Sequence, residues 1–173
     1  MLDVAGGSAA HSIGAALKLP NVKVIFLDFR QVCEIAQEYI NQYGLQERIK
    51  TQEINIWSDH WPAADLHFFS NIYHDWTAEK CHFLTAKSFN SLESGGRIVI
   101  HEMLYDDQKT GPFAPAAFSM MMMGWTEGKQ YSGLELSTML YKPAIAALGG
   151  KTFSFSTIEL TIALKAGLIV FSV

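Results

Sequence analysis

The stretch that decides the fold is "VKVIFLDF", Val22 to Phe29. After Lys23 the apolar residues Val24, Ile25, Phe26 and Leu27 run without a break and stop at Asp28. A run with no polar alternation is a strand covered on both faces, the habit of parallel sheets. In an open parallel sheet, ligands bind outside the carboxyl ends of the strands. Asp28 stands at such an end. It can accept hydrogen bonds from the two hydroxyls of a ribose, or it can cap the helix that follows.

Working outward, the same alternation recurs. Upstream, "MLDVA" is a short apolar strand, "GGSA" a turn and "AHSIGAALKL" a helix. Downstream, Val32, Ile35, Ala36, Tyr39, Ile40 and Tyr43 form one helical stripe, with Gly44 where a C-terminal cap belongs. "RIKTQEINI" and "ADLHFFSNIY" are strand candidates. "AEKCHFLTAKSFNSL" is a helix, "ESGG" a turn and "RIVIHEML" a fifth strand. Strand and helix in alternation predict an α/β domain with a parallel sheet. Beyond Met103, "PFAPAAFSMMMMGW" and "SGLELSTMLYKPAIAAL" read as helices, with Pro143 at a kink or a restart. "KTFSFSTIELTIALKAG" alternates like two strands joined by a short turn. One domain over residues 1–173 is the economical reading.

The composition fits. The chain has 173 residues, 49% apolar and 17% charged, with net charge −4, which is globular and carries no basic run for a nucleic acid. Cys33 and Cys81 lack metal-ligand spacing and read as reduced thiols of a cytoplasmic protein. No apolar run reaches membrane-span length, and the tail "ALKAGLIVFSV" reads as a buried strand. The glycine turn stands so soon after Met1 that the first strand reads as cut short at its upstream side.

Polar groups gather at five strand ends: Asp3, Gly6 and Gly7; Asp28; Asn55; Ser70, Asn71, His74 and Asp75; His101 and Glu102. Gly6 and Gly7 alone mean little more than a tight turn, since the full dinucleotide fingerprint is absent. "SNIYHDW", Ser70 to Trp76, has two readings. His74 is a general base with a carboxylate partner, or it only ends a strand while Asp75 or Thr77 caps the next helix.

Taken in order, "LDVAGGSAAHSIGAAL", "VIFLDFRQV", "SNIYHDWTAEKC", "ESGGRIVIHEML" and "TEGKQYSGLEL" resemble the blocks of class I S-adenosylmethionine-dependent methyltransferases. The closer likeness is to the small-molecule O-methyltransferases, which include plant caffeate and isoflavone enzymes, hydroxyindole O-methyltransferases and many bacterial relatives. It covers the chain to about Gly167 and rests most on the "HDW" and "GGRIVIHE" blocks. The resemblance implies a Rossmann-like sandwich. Its sheet is mostly parallel and seven-stranded, with an antiparallel C-terminal hairpin and helices on both faces.

It also implies roles. S-adenosylmethionine would lie along Asp3, Ala5, Gly6 and Gly7, with its ribose on Asp28, its adenine against Phe29, Asn55 and Ile56, and its methionine end near Ser70. His74 would be the base and Glu102 the acid that orients it. The methionine-rich helix, with Met120, Met123 and Trp125, would line the pocket of a small-molecule acceptor. Four methionines in a row cannot all face inward, so part of that helix meets a pocket, a partner or water. The family's N-terminal dimerisation domain has no counterpart here, so a homodimer would need that region.

Four positions depart from the family pattern. Ala5 and Ala9 stand for glycines, Asn55 for an acid, and Gln130 for a second acid beside the base. They motivate a rival reading, a catalytically inactive remnant that at most binds cofactor. A nicotinamide dehydrogenase is disfavoured by the glycine pattern and the "HDW" block.

Overall fold

Leu2, Val4, Phe26, Leu27, Ile98 and Ile100 are all sealed from solvent, because their strands pack helices on both faces. The computed structural model describes residues 1–147, 159–163 and 168–172. Strands β1 (Leu2–Val4), β2 (Val24–Asp28), β3 (Ile49–Glu53), β4 (Ala64–Ser70) and β5 (Leu92–His101) pair in parallel in the order β3-β2-β1-β4-β5. Beyond β5, β7 (Leu168–Ser172) runs antiparallel to it, and β6 (Glu159–Ala163) pairs antiparallel with β7 at the edge. β6 falls within the stretch Lys151–Gly167 where the alternation predicts two strands, and β7 falls in the tail read as a strand; residues 151–158 and 164–167 fall outside the described set.

Helices α1 (Ala10–Lys18), α2 (Arg30–Gln42) and α3 (Ala78–Ser91) make the crossovers. The chain order reverses between β1 and β4, which places the ligand crevice at their carboxyl ends. After β5 come α4 (Phe113–Met122) and α5 (Gly133–Ala147), the latter carrying Pro143 within its span. Cys33 and Cys81 are both free and buried. No helix among the described residues is long and apolar enough to cross a membrane.

Two expectations change. The stripe on α2 is only half buried: Ala36 and Ile40 face in, joined by Cys33, while Ile35, Tyr39 and Tyr43 are exposed. The sheet covers a limited arc of the helix, and that arc is rotated towards Cys33. Gly44 does take the left-handed conformation of a cap, at φ 67°. The expected turn at Glu93–Gly96 is a bulge inside β5 instead. Ala64 faces Leu92, yet Leu66 faces Arg97, so the extra residues loop out, with Gly95 at φ 78°.

His67 on β4 is a core histidine. Its Nδ1 meets Ser88 Oγ at 2.7 Å, and Nε2 has no partner among the described residues. Burial pushes its pKa down to about 4. The folded value lies below the unfolded 6.5, so the unfolded chain takes up a proton first as pH falls. Stability is therefore lost between pH 6.5 and 4, by about 3 kcal/mol at pH 4. Urea unfolding at pH 7 and pH 4 checks this: His67→Gln should flatten that difference, and an equally steep loss in the variant would exclude His67 as its source.

Candidate active site

The site is built at the rim where β1, β4 and β5 end. The glycine turn follows β1. A Cβ on Gly6 would fall 2.5 Å from the Phe26 ring and 2.9 Å from Asp3 Cγ, so only glycine fits against that packing. Gly7 is different: at φ 60° it faces open space, and nothing lies within 4 Å of the Cβ it lacks. Its N–H donates to Asp28 Oδ2 at 3.1 Å, tying the turn to the end of β2. Ala5 and Ala9 sit at φ 56° and 59°, the left-handed region that glycine enters freely.

Asp28 Oδ1 accepts from the Phe29 N–H at 2.8 Å. Each Asp28 oxygen keeps a lone pair for a further donor, and Phe29 is exposed beside it. The alternative role, capping α2, is not what the structure shows: Phe29 holds the cap position, and no side chain bonds there. Asn55 Oδ1 accepts from the Trp57 N–H at 3.0 Å, which fixes the turn after β3.

Two residues expected at the rim turn inward. Asp3 is 1% exposed and accepts from the Ser12 hydroxyl. Burial raises its pKa to about 6, the Ser12 bond opposing and the Asp28 charge adding. It braces the underside of Gly6. Ile56 is 7% exposed within the core, because the chain after Asn55 turns back under α3. Met120, Met123 and Trp125 are 75%, 80% and 70% exposed, so among the described residues they stand on open surface rather than round a closed pocket. Met122 is the methionine that points inside. Phe118 lies nearer the chemistry, its ring 5.8 Å from that of His74.

His74 and Glu102 meet. After β4 the chain makes a single 3₁₀ turn, Tyr73–Asp75. Glu102 follows β5, the strand beside β4, and reaches under that turn. Its Oε1 accepts from the N–H groups of Ile72 and Tyr73 at 3.0 Å each and of His74 at 3.4 Å. That oxygen thus accepts from all three N–H groups of the turn. Its Oε2 lies 2.9 Å from His74 Nδ1. The other ring nitrogen, Nε2, has Asp75 Oδ1 at 3.5 Å. Burial pulls the His74 pKa down, but the Glu102 hydrogen bond and charge, with Asp75, outweigh it, so the imidazole sits above its ordinary 6.5. Asp75 is itself raised by burial, with His74 opposing. The cap of α3 is Thr77, whose hydroxyl accepts from the Lys80 N–H.

Ser70, paired with His101 across β4 and β5, bonds both His101 Nδ1 at 2.9 Å and His11 Nε2 at 3.0 Å. His11 is a rim residue that sequence reading missed, since nothing in "AAHSIG" sets it apart from the rest of a helix.

A strap over the His74 turn was also missed. Glu127 N–H donates to Asp75 O at 3.1 Å, and Tyr131 Oη to Trp76 O at 2.8 Å. Lys80 pairs with Glu127 at 2.6 Å. Between these bonds lie Gly128, packed on the turn's backbone, and Gln130, whose amide reaches His74 Nδ1 at 2.9 Å. No cluster of three or more potential metal ligands occurs among the described residues.

Residues 1–144 match the family model described as an O-methyltransferase domain. The chain is 34% identical over 141 residues to the 3-hydroxy-5-methyl-1-naphthoate 3-O-methyltransferase of Streptomyces sahachiroi, covering 81% of this chain and 41% of that protein. It is 31% identical over 138 residues to the acetylserotonin O-methyltransferase of Gallus gallus, covering 80% and 40%. Among solved structures, the O-methyltransferase family 2 protein of Planctomyces limnophilus, in complex with apigenin, superposes with a TM-score of 0.87 at 30% identity. That match covers 99% of this chain and 48% of the other. The chain thus spans less than half the length of these relatives.

Proposed function

Because the chain belongs to the O-methyltransferase domain family, we propose that it moves the methyl group of S-adenosylmethionine to a hydroxyl of a small molecule, with His74 as general base. The observation that carries this reading is the setting of His74: a buried imidazole with Glu102 Oε2 2.9 Å from its Nδ1, at the sheet rim where the order of strands reverses.

The rim fits the cofactor. Gly7 leaves room for close approach. Asp28 would take the ribose hydroxyls on its open lone pairs, Phe29 would lie against the adenine, and Ser70 would face the amino-acid end. When bound, S-adenosylmethionine supplies a methyl group on a positively charged sulfur, which needs no further activation. The chain's task is the acceptor. A phenol holds its proton to about pH 10. Nε2 of a neutral His74 takes that proton during attack, a contribution of about 10²–10⁴ in rate. Glu102 keeps the other nitrogen protonated and stabilises the imidazolium that forms. The names of the similar proteins, one for a hydroxynaphthoate and one for acetylserotonin, and the apigenin complex favour a hydroxyl on an aromatic acceptor.

Calorimetric titration with S-adenosylmethionine and S-adenosylhomocysteine tests the reading. Saturable binding is expected, weakened about 10–100-fold by Asp28→Asn through loss of charge-assisted bonds. Well-folded protein that binds neither compound would overturn it. Binding without turnover on a broad phenol panel would leave the rival, a cofactor-binding domain without catalysis.

The pH profile follows from the same geometry. The base must be neutral, and Glu102 and Asp75 hold its pKa above 6.5. Turnover should therefore rise with pH through a midpoint above 6.5. A rate flat from pH 6 to 9, measured under saturation, would remove His74 from the proton transfer.

A further inference from the structure

Gln130 poses a hydrogen-bonding conflict. Its side chain is buried, with Nε2 at 2.9 Å from His74 Nδ1 and 3.5 Å from Met122 Sδ, while Oε1 has no partner. The same Nδ1 lies 2.9 Å from Glu102 Oε2, which, like Gln130 Oε1, is buried and has no other hydrogen-bond partner among the described residues. An imidazole nitrogen either donates one proton or offers one lone pair. If Nδ1 offered its lone pair to the Gln130 amine, the Glu102 carboxylate would face that lone pair unprotonated. A carboxylate only accepts hydrogen bonds and has no proton to offer that lone pair. Nδ1 therefore carries the proton. An amine beside an N–H is repulsive, and the two ends of an amide are exchanged by a simple rotation.

We propose that Gln130 turns its amide oxygen to Nδ1 of His74, so that the ring proton has two acceptors and Gln130 is a positioning residue for the base. The proposal rests on the reading of His74 as that base, and it deepens it. Two acceptors on one N–H fix the plane of the ring and leave Nε2 as the open lone pair. One acceptor is charged and the other neutral, so the imidazolium is stabilised by one carboxylate on that side, with Asp75 beside Nε2. Gln130 is itself held: its N–H donates to Ser119 Oγ at 3.0 Å, linking the base to α4. The departure from the family's acid thus keeps the geometry of a second partner and gives up its charge.

Nitrogen NMR of histidine-labelled protein tests this without any activity. In the wild type, the neutral form of His74 should show Nδ1 protonated and Nε2 bare; the opposite tautomer would overturn the proposal. Gln130→Met removes the amide at similar length. With the oxygen on Nδ1–H, its loss should lower the His74 pKa by about half a unit or more. A rise, which an amine facing the lone pair would give, or no change, overturns the proposal. Gln130→Glu adds a second carboxylate and should raise that pKa by about 1 unit or more; an unmoved value counts against the contact itself. Failure of His74 as the base would show elsewhere, as unchanged turnover in His74→Ala with these NMR results intact.

Discussion

On the proposed role of His74 as base, Glu102→Gln is expected to lower methyl transfer by about 10³–10⁴-fold while the protein still folds, the scale seen when the acid behind a catalytic histidine becomes an amide. The amide oxygen must stay on the side of Ile72, Tyr73 and His74, whose N–H groups all point there. Its amine is then forced onto the Oε2 position, 2.9 Å from Nδ1. An amine there donates, so Nδ1 must accept and the proton moves to Nε2. The proposed base is then blocked at Nε2. Cofactor affinity should stay within about threefold, because Glu102 lies behind the histidine and not at the glycine turn. The experiment compares single-turnover rates, cofactor titrations and thermal melts. A rate within tenfold of wild type, with fold intact, would show that Glu102 only caps the turn.

Gly128→Ala is expected to cost about 3 kcal/mol or more, beyond the usual toll of overpacking. The new Cβ would overlap the carbonyl oxygen of His74 and lie 2.6 Å from both the N and the O of Trp76. These are backbone atoms, and no side-chain rotation can clear them. The strap from Glu127 to Tyr131 would have to lift off, releasing the bonds of Glu127 to Asp75 and of Tyr131 to Trp76. Gln130 would leave Nδ1 with it. Turnover should fall further than stability alone explains, at temperatures where the variant is still folded. Denaturant unfolding that places Gly128→Ala within 1 kcal/mol of wild type would mean that the strap and the turn do not pack as described.

These two glutamine and glycine effects differ in how far the sequence announces them. Glu102 closes a strand that, in the sheet order the family resemblance implies, lies beside the one leading to His74. Gly128 and Gln130 sit in "TEGKQY", a stretch with neither helical nor strand periodicity. Nothing local distinguishes a glycine that must lie on another backbone from one that merely turns. The same limit explains Asp3, Ile56 and the stripe on α2. Sequence places Asp3 and the stripe on the right elements and Ile56 at the end of a strand that stops at Glu53, but which way a side chain points depends on what packs against it. The exposed methionines of α4 make the same point, since composition alone marks them as pocket or core.

What the sequence by itself determined is the alternation of strands and helices, the glycine turn and the acid closing β2. All of these are periodicities of 2 or 3.6 residues or short motifs, which act through neighbours along the chain. What only the tertiary structure decided is which side chains surround His74. Glu102 comes from 28 residues away and Gln130 from 56. Hydrogen-bond partners so distant in sequence meet only through packing of the whole domain, and a buried imidazole takes its tautomer from the donors and acceptors it meets there.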